Sequence, residues 1–228
     1  MTNSADRDGL GELERKLREW SHNIDALKAI QDFSRSLKKT RVRQGVFNAE
    51  GALIVRPPIS YEEGRKRGLI PDDEDEFTLL QGDIVRLESA YHLGERLQGM
   101  QFLVASSTCD LVPGRRRFAA LLPVQPILPG ETLQEQEATK RQLSELLLFT
   151  STRRMYLPLL PGDSDDVIGN AIEFDRIAQA RLNDVLSAER VASLSLVGWR
   201  IFASHLRAIL SRTSEGEVHL REEWSAPE

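Results

Sequence analysis

Residues 81–127 limit the folds open to this chain more than any other stretch. They read QGDIVRLESAYHLGERLQGMQFLVASSTCDLVPGRRRFAALLPVQPI. A strand is predicted at Ile84 to Leu87, after Gly82-Asp83, and Phe102 to Ala105 is apolar without a break. An unbroken run of this kind is typical of a strand that is buried on both faces. Several short strands separated by tight turns predict a small β-barrel.

Glycines and prolines mark the breaks between these strands. Residues 91–99 are polar with glycines near both ends, so we expect a connection there. Pro113-Gly114-Arg115 predicts a turn, and Phe118 to Val124 predicts another strand that Pro123 and Pro126 close. Both Phe102 and Phe118 are expected to be buried. Tyr91 is then the one aromatic platform left for stacking a base, which disfavours a dedicated single-strand binder.

An apolar stripe marks the N-terminal segment. Nothing interrupts a helix from about Asp8 to Lys39, which would be roughly 45 Å long at 1.5 Å per residue. Spacings of three and four separate Leu10, Leu13, Leu17, Trp20, Ile24 and Leu27. Two interpretations are open, because so few heptads do not decide between them. The helix packs along its own domain, or it protrudes and binds a partner protein through Leu13, Leu17, Trp20, Ile24 and Leu27.

The rest of the chain predicts a mixture of helices and strands. Further elements are a strand at 52–55, a helical turn at 61–68, helices at 131–149 and 183–192, and strands at 155–160 and 171–177. Ser195 is a predicted N-cap for a last helix, in which Gly198 costs about 1 kcal/mol unless close packing requires it. The expected domains are a helical arm at 1–45, a barrel domain with inserted and C-terminal helices at 46–212, and a polar tail at 213–228.

Charge and cysteine content limit the kinds of binding site and cross-link that this chain can have. The chain has 30 basic and 35 acidic residues, a net charge of −5, so nucleic-acid binding has to rest on local patches. The one cysteine excludes an internal disulfide and a multi-cysteine metal site. Residues 71–76 are acidic but lack the glycine of a calcium loop. We expect a cytoplasmic protein with no membrane helix, cofactor or metal.

The residues after the central apolar strand carry the candidate chemistry. Cys109 is a candidate nucleophile with His92 as a candidate partner, and the preferred alternative is a buried cysteine that acts as a small hydrophobe. Asp110 either caps the following turn or takes part in catalysis. Arg115, Arg116 and Arg117 lie at a predicted hairpin tip. They form a solvated rim, or they bind nucleic-acid phosphates through their forked guanidinium groups.

Four short motifs of the central block occur in an order known from a toxin family. They are Gly82-Asp83-Ile84-Val85, Gly94-Glu95 with Gly99, Phe102 to Ser106, and Leu122-Pro123-Val124. In this order they resemble the PemK/MazF-like toxins. The resemblance implies an α+β fold with a small SH3-like β-barrel, which here carries a long N-terminal helix and C-terminal helices. Where ribonucleases of that family have an arginine before a proline, this chain has Met100-Gln101.

A second set of motifs is similar to uncharacterised bacterial proteins with an S-x-x-C-D element on such a barrel. The matching residues are Ser106 to Asp110, Ile172 to Asp175, and Leu194-Ser195-Leu196. Those proteins tend to accompany toxin, mobile-element or phage-defence genes. With Met100-Gln101 in place of the catalytic arginine, and with the long apolar-striped helix, we expect a non-enzymatic accessory or adaptor protein in such a setting. Its partner is a protein, or a protein together with nucleic acid that contacts the arginines. The alternatives are a divergent ribonuclease with Cys109 and Asp110 near its site, and a small-ligand sensor with its pocket at Ser107 to Asp110.

Overall fold

A computed structural model describes residues 4–19, 25–70 and 78–210. Within these ranges the chain has a mixed α+β fold of seven α-helices and one eight-stranded antiparallel sheet. The helices are α1 (Ser4–Glu19), α2 (Asp25–Ser36), α3 (Thr40–Phe47), α4 (Tyr61–Lys66), α5 (Leu133–Leu146), α6 (Leu182–Leu186) and α7 (Leu196–Leu210). The strands are β1 (Ile54–Val55), β2 (Asp83–His92), β3 (Glu95–Val104), β4 (Phe118–Ile127), β5 (Arg154–Leu157), β6 (Gly169–Glu173), β7 (Ala178–Arg181) and β8 (Glu189–Leu194). A short 3-10 helix covers Thr108–Leu111.

The strand order contains a closed circuit of neighbours. The main path is β1-β8-β2-β3-β4-β6-β5, and β7 pairs with both β2 and β4. Strands β2, β3, β4 and β7 therefore form a ring, whose β2–β7 side consists of the pair Tyr91 and Gln179. β4 changes partner along its length, from β7 and β3 to β6. It continues through Pro123 and Pro126, so the prediction that these prolines close the strand is wrong.

Strands β2, β3 and β4 are buried on both faces where they lie side by side at Ile84, Leu103 and Leu122, and there each face contributes to a different hydrophobic core. Ile84, Leu103 and Leu122 point into the larger core, which includes the helices. Val85, Phe102 and Leu121 point into the smaller core, where side chains from all four strands of the ring meet. The predicted strand, buried on both faces, is confirmed for Phe102 to Val104, while Ala105 is buried but follows the end of β3.

The N-terminal segment forms two helices that fold back on each other. An added Cβ on Gly9 would lie 3.0 Å from Cε2 of Phe33. In one straight helix these two residues would be about 36 Å apart. The prediction of a single helix from Asp8 to Lys39 is therefore corrected to α1 and α2, which also pack on α7. The predicted boundary at residue 45 falls inside α3.

Residues 91–99 form a hairpin, so the predicted connection there is wrong. β2 continues to His92 and β3 begins at Glu95, with Leu93 and Gly94 at the tip. Both tip residues have positive φ, 48° and 85°, as a tight two-residue hairpin turn requires. Ala90 and Leu97 face the smaller core while their neighbours face solvent. The alternation along each strand was the informative signal, and the overall polarity of the stretch was not.

The C-terminal part confirms some predicted elements and corrects others. The predicted strands at 155–160 and 171–177 correspond to β5 and β6, but the predicted helix at 183–192 ends at Leu186. β8 follows it because Val191 and Ala192 are buried where that strand lies between β1 and β2. The Ser195 cap is confirmed, since its Oγ accepts a hydrogen bond from the Gly198 amide at 3.2 Å. Gly198 is required by packing, because an added Cβ would clash with the carbonyl oxygen of Leu53.

Candidate functional site

The loop from Ser106 to Arg117, called the rim below, carries the candidate nucleophile on its outer side. Cys109 is exposed, so the preferred prediction of a buried cysteine is wrong. Strand β3 ends at Val104, and the following 3-10 helix buries Leu111 while Cys109 is exposed. Thr108 fixes the start of this helix, because its Oγ1 accepts a hydrogen bond from the Gln81 amide at 3.0 Å.

Two rim arginines contact the rim itself. Arg116 Nε lies 3.0 Å from Oδ1 of Asp110. Arg115 donates from Nη1 to the carbonyl oxygen of Cys109 at 3.1 Å. The Asp110 carboxylate thus accepts from a guanidinium group, and the Asp110 amide closes the turn by donating to Ser107 O at 2.9 Å. Both contacts are exposed, and exposed ion pairs stabilise a fold by less than about 1 kcal/mol.

The rim and the suggested histidine lie at opposite ends of the sheet. His92 pairs with Glu95 beside the hairpin tip, whereas Cys109 follows the far end of β3. Nδ1 of His92 is 2.9 Å from the carbonyl oxygen of Ile177. The prediction of a Cys109–His92 pair is therefore wrong. In the part of the chain that the structure describes, no three His, Cys, Asp or Glu side chains are placed to hold a metal ion.

A second exposed surface surrounds β7 and was not foreseen. This β7 face consists of Tyr91 on β2, Arg117 just before β4, Phe118 at the first position of β4, and Gln179 and Arg181 on β7. Gln179 pairs with Tyr91, and Arg181 pairs with Phe118. Because alternate residues of a strand share a face, Gln179 and Arg181 point outward together. The residues between and before them, Ala180 and Ala178, are buried in the smaller core.

The two aromatic side chains of the β7 face are about half exposed. Tyr91 is 52% exposed and Phe118 is 53% exposed, so the prediction that Phe118 is buried is wrong. The pairing places their Cα atoms roughly 12 Å apart, from the usual strand spacing and rise. The guanidinium carbon of Arg117 lies 6.0 Å from the centroid of the Phe118 ring. The face therefore combines two accessible rings with guanidinium groups.

The sequence contains a weak signal for this face. Residues 178–181 read Ala-Gln-Ala-Arg, which alternates small apolar and polar side chains as a half-buried strand does. The run is too short and too poor in β-branched residues to be recognised alone. Its position between β2 and β4 depends on pairing with segments more than fifty residues away, for example Gln179 with Ala120.

The predicted partner-binding leucines are largely used within the chain. Leu13 and Leu17 belong to the larger core. The carbonyl oxygen of Leu17 accepts a hydrogen bond from Arg200 Nη2 on α7 at 3.3 Å. Leu27 is half-buried, and the other two predicted contacts, Trp20 and Ile24, lie outside the residues for which side chains are described. Leu13 and Leu17 are not available to a partner in this fold.

Asp83, from the Gly82-Asp83-Ile84-Val85 motif, is the centre of a buried polar junction. Its Oδ2 accepts from the Leu80 amide at 2.8 Å and from Arg190 Nη2 at 2.8 Å. Its Oδ1 accepts from Ser193 Oγ at 2.5 Å. Burial raises the pKa of this carboxyl above its ordinary value, while the charge of Arg190 opposes the shift. The junction ties β2 to β8 and to the loop before β2.

Met100 and Gln101 stand where the motif resemblance would place an arginine. Gln101 donates from Nε2 to the carbonyl oxygen of Pro161 at 2.9 Å. Arg86, its neighbour across the β2–β3 pairing, donates to the same carbonyl at 3.0 Å. Gln101 therefore fastens the loop before β6 to the sheet.

Comparison of the chain with protein-family models, with curated proteins and with solved structures found no match. The PemK/MazF-like assignment therefore stays a prediction from the motifs. None of the helices in the described ranges is long and apolar enough to cross a membrane. The geometry of the β7 face is the strongest guide to a binding function.

Proposed function

We propose that this protein is a non-enzymatic binding protein that contacts single-stranded nucleic acid through its β7 face. The observation that carries the proposal is the pairing of Tyr91 and Phe118 with neighbouring residues of β7, which leaves both rings about half exposed. Proteins that bind single strands stack bases on such rings, with about 1–3 kcal/mol contributed per base. Bases in a duplex are already stacked, so the face favours a single strand.

Arginines supply the charge that the chain as a whole lacks. The net charge is −5, so a phosphate backbone has to meet a local positive patch. Arg117 and Arg181 are both exposed and belong to the β7 face. A guanidinium group binds phosphate oxygens in a fork and also stacks on bases. Arg117 is the one of the three predicted nucleic-acid contacts that belongs to the β7 face. Arg115 and Arg116 contact Cys109 and Asp110 of the rim instead.

The rim supports a binding role over catalysis. His92 lies at the other end of β3 from Cys109, and Asp110 is paired with Arg116. Gln101 stands where the resemblance would place an RNA-cleaving arginine, and its side chain is bonded to the Pro161 carbonyl oxygen in the loop before β6. These contacts argue against the rival proposal of a divergent ribonuclease.

The fold type and the setting belong to the same proposal. The closed β2–β3–β4–β7 ring and the β8 strand beside it support an SH3-like barrel of the PemK type. The accessory role in a bacterial toxin, mobile-element or phage-defence system rests on the motif resemblance. A partner protein at the N-terminal helices stays a prediction, with the constraint that Leu13 and Leu17 are already buried.

Fluorescence anisotropy with labelled poly-uridine, poly-thymidine and a matched duplex tests the binding function. The single strands are expected to bind more tightly than the duplex. Phe118→Ala and Tyr91→Ala should each weaken single-strand binding by about 1–3 kcal/mol, or about fivefold to 150-fold. Leu133→Ala is the matched control, because Leu133 is an exposed apolar residue on α5. Equal affinities for wild type and both aromatic variants would contradict the proposal.

Incubation of the purified protein with mixed RNA tests the rival. The expected result is intact RNA after prolonged incubation. Specific cleavage that is lost in Asp110→Ala would replace the binding proposal with an enzymatic one. Cleavage that persists in that variant after a second purification step would also contradict the binding proposal, and it would show that the site does not depend on Asp110.

A further inference from the structure

A cavity of about 380 Å³ opens beside the Asp83 junction, at the opposite end of β2 from Tyr91. The volume lies within the usual range of small-molecule sites. Its apolar walls come from the loop before α4, the segment before β2, the end of β8 and the start of α7: Ile59, Leu80, Leu194, Leu196 and Trp199. The site shares no residue with the β7 face, so an inference about it is independent of the proposed nucleic-acid binding.

Most polar groups of the lining are already bonded within the chain. Ser193 Oγ donates to Asp83 and accepts from the Ile59 amide at 2.9 Å. Ser195 Oγ donates to the carbonyl oxygen of Ala52 at 2.7 Å and accepts from the Gly198 amide. Asp83 accepts from the groups described above. These bonds make the floor of the cavity rigid and leave it little hydrogen-bonding capacity for a ligand.

Two adjacent side chains of the lining keep bonding capacity. Thr108 Oγ1 accepts from the Gln81 amide, and this contact leaves the hydroxyl proton to be donated. Gln81 uses its Nε2 to donate to the carbonyl oxygen of Ala105 at 2.9 Å, and this contact leaves its amide oxygen as an acceptor. Both residues line the cavity. They present one donor and one acceptor at a single edge of an otherwise apolar space.

The charge among the residues that line the cavity is paired. Asp83 is the acidic residue of the lining, and it is fully buried and paired with Arg190 at 2.8 Å. Trp199 is half-buried, and the guanidinium carbon of Arg200 lies 5.2 Å from the centroid of its ring, which helps to hold the indole in place. An indole wall favours a flat aromatic partner. An ion would lose its hydration without gaining an opposite charge.

We propose that this cavity binds a small, neutral aromatic molecule that carries one hydrogen-bonding edge, such as an amide. The aromatic body lies among Ile59, Leu80 and Trp199. The polar edge meets the Thr108 hydroxyl and the Gln81 amide. This arrangement links the rim to a ligand, since Thr108 is the first residue of the 3-10 helix that also carries Cys109.

Saturation-transfer NMR on the full chain tests the proposal with benzamide as the neutral probe. Benzoate and benzylamine serve as matched anionic and cationic probes of the same size. Benzamide is expected to bind saturably, and about tenfold or more tightly than either ion. This comparison uses the wild-type protein, so it does not depend on the folding of a variant. Absence of saturable benzamide binding, or equal binding of the three probes, would overturn the proposal.

Ile59→Trp locates the binding. Ile59 is partly exposed at the cavity mouth, and its backbone bonds to Ser193 and Arg190 do not depend on its side chain. The larger ring should weaken benzamide binding by about tenfold or more. Leu93→Trp, at the distant hairpin tip, is the control and should leave the affinity unchanged. Benzamide binding that survives Ile59→Trp in a folded variant would place the ligand elsewhere and overturn the proposal.

Discussion

The two ends of β2 use polar and apolar groups in opposite ways. At the first end, Asp83 is fully buried and both of its carboxylate oxygens accept hydrogen bonds within the chain. At the other end, Tyr91 is 52% exposed beside exposed Gln179. The junction therefore stabilises the fold, whereas the β7 face leaves its aromatic and charged groups exposed. Substitutions at the two ends should separate stability from binding.

Asp83→Ala is expected to have the largest effect on stability. Removal of the carboxylate leaves Arg190, whose side chain is only 23% exposed, without its buried partner, which costs about 3–5 kcal/mol. Urea unfolding measures the loss. Asp83→Asn should cost less because an amide oxygen can still accept from Leu80 N. The folded fraction of Asp83→Ala should bind single strands as well as wild type does. Weaker binding would show that the Asp83 end of β2 affects binding as well as stability.

His205 should make the stability of the folded chain depend on pH. The side chain is 1% exposed against Phe174, and burial lowers its pKa from 6.5 to about 4. Between these two values the unfolded chain binds a proton that the folded chain does not. The free energy of unfolding should therefore fall as the pH is lowered through this window, by about 3 kcal/mol in total.

Urea unfolding at a series of pH values checks this prediction, with His205→Leu as the comparison. The raised pKa of Asp83 acts in the opposite direction, because the folded chain takes up that proton first as the pH falls. The informative quantity is therefore the difference between wild type and His205→Leu. A difference that does not change with pH would show that His205 is not buried in its neutral form.

Gly198→Ala tests how tightly the chain packs near the Asp83 end of β2. The new Cβ would meet the Leu53 carbonyl group, which is backbone and cannot rotate away. We expect a loss of at least about 2 kcal/mol from overpacking. Gly11→Ala is the matched control, since no atom lies within 4 Å of its added Cβ and the residue is in helix α1. That variant should be up to about 1 kcal/mol more stable than wild type.

Arg181→Gln should have the smallest effect, and only on binding. If Arg181 contacts one phosphate of a single strand, its loss should reduce the salt dependence of log K by about 0.7. Arg116→Gln is the control, because Arg116 pairs with Asp110 on the rim. Thermal unfolding of both variants should match wild type. An unchanged salt slope for Arg181→Gln would remove this residue from the proposed interface.

The parts of the fold that local pattern specifies were predictable. Phe102 to Ala105 is apolar without a break because both faces of β3 are covered, and Ser195 caps α7 through its own hydroxyl. The β7 face was not predictable, because it depends on the pairing of Ala178–Arg181 with two distant strands. The exposure of Phe118 follows from its place at the first position of β4, beyond the covered part of the strand. The apolar character of a residue does not reveal where along a strand the packing by neighbouring elements ends.

The ring of four strands has one weak seam. A single pair, Tyr91 with Gln179, closes β7 onto β2, whereas β7 meets β4 along its whole length. Small seams of this kind are where local opening begins. A ligand that contacts both Tyr91 and Phe118 spans the seam, so its binding free energy adds to the closure of the ring. A bound ligand should then slow hydrogen exchange at the amides of β7. The proposed interface would therefore also hold β7 against β2.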